Sequence, residues 1–127
     1  MQTSIQDKYL KVQVETASPG ELTLLLYQEL VRTLYKARQL GTQGEWFNSV
    51  EPLHKGRDIL FELMSTLDMK YDLSKDLYEL YSFYAQCIAT VIIKHDGDLL
   101  DEVLDFAKGM LDTWKQVLQI VKSGNTL

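Results

Sequence analysis

Residues 16–37, TASPGELTLLLYQELVRTLYKA, decide the fold. The stretch opens as a helix start. Ser18 stands at the N-cap, and Pro19 fills the first helical position, where a missing N–H costs nothing. Glu21 is placed to reach back to the cap amide. From there Leu22, Leu26, Leu30, Leu34, Ala37 and Leu40 recur at helical spacing and form the stripe a bundle helix buries. Leu24, Tyr27, Val31 and Tyr35 make a second stripe beside it. Together the two cover about 220° of the helical wheel, against the ~100–140° that a bundle core occupies. The first helix is therefore greasier than one packing face requires.

The rest of the chain is read as all-α. Only two prolines occur, and no Asn-Gly or Asp-Gly turn lies between alternating strands. The first helix is expected from the Ser18 cap to about Leu40. A second covers about 45–68, with Pro52 and Gly56 predicting a kink or a restart in its first half. A third follows Ser74 and runs to about Lys94. A fourth opens after Asp98, with Glu102 in its first turn, and ends near Lys122. Short connections between such helices predict an antiparallel up-down four-helix bundle over residues 18–122. Residues 1–17 carry Ile5 and Tyr9 at i, i+4, then alternate Leu10, Val12 and Val14 with polar residues. With no second strand to pair with, they read as an N-terminal strap or cap along the bundle. Residues 123–127 read as a disordered tail.

Composition narrows the function. The 127 residues hold 13 basic and 18 acidic side chains, a net charge of −5. No basic stripe is present, which argues against nucleic-acid partners. No apolar run reaches membrane-spanning length, no signal pattern opens the chain, and the single Cys87 suits a reducing compartment. A cytosolic protein with no membrane insertion is expected. Cys87 itself reads as a small buried hydrophobe.

The third helix repeats the surplus of the first. Leu77, Tyr81, Ile88 and Ile92 form one row, and Leu80, Tyr84, Cys87 and Val91 the next. Tyr78, Ala85 and Ala89 widen the arc to about 200°. The fourth helix is narrower. Its apolar residues are Leu99, Val103, Ala107, Met110, Trp114, Val117 and Val121, with a charged outer face. Two explanations compete: an uneven bundle partly covered by the strap, or a face reserved for a partner segment lying in a groove. Four such side chains, buried at ~1.5–3 kcal/mol each, supply roughly 6–10 kcal/mol, enough for a tight complex after ordering costs. The strap would cover the groove until the partner arrives.

Catalytic chemistry is hard to find. His54 and His95 lack partners at metal spacing. HDGDLLDE (95–102) has its glycine at the second position, where a calcium loop needs it at the sixth. Phosphate loops and nucleophile elbows are absent. No cofactor, no metal and no enzymatic activity are expected. A histidine-phosphotransfer bundle built on LHKGRD is the alternative from another class, although Lys55 directly after His54 sits off the face of a phosphate there. A bundle that self-associates through the surplus face, forming a homodimer, is the third reading.

Tyr9 with TASPGELTLLLY (16–27), then LYELYSFY (77–84) and LDTWKQ (111–116), resembles the flagellar secretion chaperone family, FliS, in order and length. The resemblance implies a four-helix bundle that binds the C-terminal segment of flagellin in the cytosol. It implies prevention of premature polymerisation and help in delivery to the flagellar export gate. It also places Ile5, Tyr9 and Leu10 in an N-terminal cap. Leu24, Tyr27, Val31 and Tyr35 on the first helix, with Tyr78 and Tyr81 on the third, become the implied partner-binding residues.

Overall fold

The computed structural model describes residues 18–124 together with Ile5, Asp7 and Lys8. Four long helices follow one another, and no strand occurs among the described residues. They are α1 (Pro19–Thr42), α2 (Trp46–Ser65), α3 (Asp72–Lys94) and α4 (Gly97–Lys122). Ile5, Asp7 and Lys8 are also helical. The expected all-α four-helix bundle is what the chain forms.

Side-chain caps start two of the helices. Ser18 Oγ accepts the Glu21 N–H at 3.3 Å, and Pro19 follows it as the first helical residue. Asp96 Oδ1 accepts the Leu99 N–H at 3.0 Å. Each oxygen satisfies one of the amides that a helix start leaves without a carbonyl. The cap of α4 thus lies two residues before the expected Asp98, which instead sits in the first turn. Helix α3 also begins earlier than Ser74, at Asp72, and Ser74 is buried inside it. The turn between α3 and α4 is abrupt because His95 takes a left-handed conformation, φ 54°, and ends α3. Its ring stacks on Trp46, with centroids 5.5 Å apart and planes 6° from parallel.

Pro52 does not interrupt α2, so the expected restart does not occur. The helix is continuous from Trp46 to Ser65, with Pro52 buried inside it. The only amide lost is Pro52's own, and its usual acceptor belongs to the exposed Asn48, within reach of water. The Pro52 carbonyl is used elsewhere: it accepts the Thr33 hydroxyl of α1 at 3.1 Å in a buried contact. Gly56 serves the same seam. A Cβ at this position would lie 3.0 Å from Leu34 Cδ2, and Leu34 is wholly buried. Its absence lets α1 and α2 close on each other. What read as weakness in an isolated helix is the condition for helix–helix approach.

The core runs through Leu30, Leu34, Leu53, Leu60, Ile88, Val91, Leu100, Val103 and Ala107, none of which is measurably exposed. Helix α1 packs extensively on α2 and on α4, α2 packs on α3, and the α3–α4 seam is the sparsest. Arg38 adds a two-pronged ion pair to Asp101 across the α1–α4 seam, with Nε–Oδ1 at 2.6 Å and Nη2–Oδ2 at 3.3 Å. Replacing Gly56 with valine is expected to lower stability by about 2 kcal/mol, because the branched side chain overpacks against Leu34. Urea unfolding followed by circular dichroism measures the shift.

Candidate interaction surface

The surplus stripe of α1 lies on the α4 side. Gly20 O accepts the Trp114 indole N–H at 2.9 Å, and a Cβ on Gly20 would stand 3.2 Å from Leu118. Leu24, one turn further, lines a shallow cleft with Lys115, Leu118, Gln119 and Lys122 of α4. Val31 is half-buried against the core, and Tyr35 is 51% exposed. These three occupy one outer flank of α1.

Tyr27 does not join them. It is only 2% exposed, and its hydroxyl shares a short hydrogen bond with that of Tyr81, also 2% exposed, across the bundle from α1 to α3. Trp114 meets Tyr27 edge-on at 6.5 Å, and Phe106 meets Tyr81 in the same manner. Both tyrosines, expected at the binding face, are interior residues beneath it. The wheel misled because it assumed one packing face for α1. Helix α1 has α2 on one flank and α4 on the other, so its buried arc is wider and takes in Tyr27.

On α3, Tyr78 is 43% exposed, as an interaction residue requires. Other apolar residues that the spacing did not single out are exposed too: Leu73 at 67%, Tyr71 at 58% and Phe83 at 56%, with Met69 and Phe61 of α2 below them. Phe83 falls outside the regular rows of α3, yet it lies within LYELYSFY. An aromatic off the buried stripe was the available signal.

The two halves of the bundle differ. Every buried residue of α4 lies at or before Ala107, and on α3 only Ser74 is buried ahead of Tyr81. Tyr84 and Phe106 stack with centroids 3.9 Å apart and hold the α3–α4 seam at mid-length. Past that stack, Leu77 and Leu80 of α3 and Met110, Val117 and Val121 of α4 are half-buried or exposed. The core stops short, and apolar side chains continue to the end where α1 starts. Contiguous apolar exposure of this kind marks interaction sites in folded proteins.

Of the expected N-terminal cap, Ile5 is 88% exposed; Tyr9 and Leu10 lie outside the described residues. His54 is exposed, and the adjacent Lys55 is engaged by Glu29 at 3.0 Å. Burial and the nearby Glu102 push the Cys87 thiol pKa up, away from reactive thiolate. Among the described residues no three His, Cys, Asp or Glu side chains gather as metal ligands, and no helix is long and apolar enough to cross a membrane.

A four-helix bundle that leaves large apolar side chains exposed on α1 and α3 has the features of helical proteins that offer a surface to other polypeptides. Kinship makes this specific: the chain belongs to the FliS family, whose model, described as flagellar protein FliS, matches residues 1–121. It is similar to the flagellar secretion chaperone FliS of Bacillus subtilis, 33% identical over 119 residues, covering 91% of this chain and 90% of that one. The Vibrio cholerae flagellar secretion chaperone FliS is 30% identical over 123 residues, covering 92% and 90%. A crystal structure described as a flagellar chaperone from bacteria shares the fold, with a TM-score of 0.72 at 22% identity, covering 90% of this chain and 94% of its own.

The buried tyrosine pair carries its own prediction. Burial, with the partner hydroxyl, raises the Tyr27 pKa far above that of a free phenol, and burial raises Tyr81 despite an opposing contribution from Tyr27. Folded pKa values above the unfolded one mean that the folded state retains protons the unfolded state releases. The stability this confers is whole below about pH 10 and falls as pH rises further. Tyr27→Phe or Tyr81→Phe alone should cost about 1–3 kcal/mol by leaving the other hydroxyl buried and unpaired. The double variant should cost less than the sum and should blunt the alkaline loss. Urea unfolding at neutral and alkaline pH reads both effects.

Proposed function

We propose that this protein is a cytosolic, non-enzymatic export chaperone for flagellin. It binds the disordered C-terminal segment of flagellin along its apolar band, prevents premature polymerisation and aids delivery to the flagellar type III export gate. The observation that carries the reading is the set of incompletely buried apolar side chains on two helices, Leu24, Val31 and Tyr35 on the outer flank of α1 and Tyr78 and Phe83 on α3. Membership of the flagellar chaperone family supports the choice of client.

The mechanism follows from solvation and entropy. A disordered segment with an apolar edge loses conformational freedom on binding. Burying several large side chains at ~1.5–3 kcal/mol each offsets that loss. The band is distributed over helices rather than gathered into one cavity, so it suits an extended client that wraps the bundle. Once held, the client's apolar residues are unavailable to other flagellin molecules. Tyr27 and Tyr81 contribute from beneath, fixing α1 relative to α3.

Calorimetry with a synthetic peptide from a flagellin C-terminus tests the reading. Val31→Ala combined with Tyr35→Ala is expected to weaken binding by about tenfold or more, with helical content unchanged. Tyr78→Ala should weaken it less. Unchanged affinity in the double variant would remove α1 from the binding face. Absence of any binding by the native protein would overturn the proposal.

A further inference from the structure

The N-terminal turn meets the bundle on the side of α1 away from the apolar band. There Asp7 lines a cleft of about 370 Å³ together with Arg32 and Lys36 of α1 and Asn48, Glu51 and Lys55 of α2. Such a concentration of cations is notable in a chain of net charge −5. Glu29, which is not among the lining residues, engages both Arg32 and Lys55. Glu29 and Glu51 together balance two of the three cations and leave one positive charge over. Asp7 supplies the missing negative charge. The hydrogen bond to Glu29 is the main influence raising the Arg32 pKa, and the charge of Asp7 adds to it. Asp7 and Lys8 are both exposed, and of the two Asp7 lines the cleft. Ile5 is 88% exposed, so burial of its side chain is not what fastens this turn.

We propose that Arg32, Lys36 and Lys55 form a carboxylate-binding site that the chain's own Asp7 occupies, pinning the N-terminal turn to the α1–α2 seam by charge. The latch is then sensitive to ionic strength in a way that an apolar contact is not. It is also reversible at small cost, since an exposed ion pair of this kind shifts a local equilibrium by a factor of a few. A segment held so weakly can detach while the four-helix core stays folded. The site regulates the N-terminal segment whether or not the client is flagellin, and the experiment below contains no client.

Amide hydrogen exchange of residues 5–8 in the full-length protein, read by mass spectrometry, tests the latch. At about 0.05 M salt, Asp7→Asn should speed exchange of this turn about 2- to 5-fold, while exchange of α1 to α4 stays as in the native protein. At about 0.5 M salt the native protein should approach the variant, because the pair is screened. Lys36→Gln should produce an increase of the same kind, and adding Asp7→Asn to it should add less than the product of the two effects. Equal exchange in the native protein and Asp7→Asn at low salt overturns the proposal, as does independence of the Asp7 and Lys36 effects. Exchange in the native protein that does not change with salt overturns it without any substitution.

Discussion

Helix α1 has to be buried on two flanks at once, and the arrangement of the other helices follows from that constraint. On the α2 flank, Gly56 removes the side chain that would collide with Leu34, and the Thr33 hydroxyl finds the Pro52 carbonyl. On the α4 flank, Arg38 grips Asp101 near one end and Trp114 bonds to the Gly20 carbonyl near the other. The Tyr27–Tyr81 hydrogen bond then fixes α1 to α3, which lies across the bundle. With α1 secured on both sides, α3 and α4 need not seal fully against each other. Their sparse seam and the exposed apolar residues beyond Tyr84 and Phe106 result from this division of contacts.

A bundle built in this way confines its incompletely packed core to one end, while exposed apolar side chains occur at both, Phe47 and Ile93 at the closed end among them. The half containing Ile88, Val91, Leu100 and Val103 is closed and dry, and the buried hydroxyls of Thr33 and Ser49 are paired with backbone carbonyls. The other half retains apolar side chains without a full set of neighbours from its own helices. A protein that must hold a flexible chain gains from this asymmetry, because the closed half keeps its shape while the open half exchanges solvent for a client. The proposed latch at the α1–α2 seam and the proposed client surface would be governed by different forces, since salt screens charge pairs and leaves apolar contacts in place.

Much of the fold was legible in the sequence because helical periodicity and capping are local. Ser18, Pro19 and the leucine spacing placed α1 directly, and the four-element order followed. Details that depend on neighbours were not legible. Pro52 and Gly56 look like helix breakers until α1 is seen against them. Tyr27 and Tyr81 look like surplus surface until two flanks of α1 are counted as core. Within the candidate site, Leu24, Val31, Tyr35 and Tyr78 do lie at or near the surface, whereas Phe83 was passed over because it interrupts the regular rows and Leu73 because the helix was expected to begin after Ser74. Spacing reports which residues share a face, but the number of faces a helix buries is a property of the assembly.

The protein's two tryptophans stand at opposite ends of the bundle. Trp46 is stacked on the His95 ring, and Trp114 meets Tyr27 edge-on and bonds to the Gly20 carbonyl beside the start of α1. Their emission therefore reports on separate regions without any label. In a Trp114→Phe variant the remaining light follows the α3–α4 corner, and in a Trp46→Phe variant it follows the open end, so the pair of variants tells a binding reaction from a distortion of the scaffold.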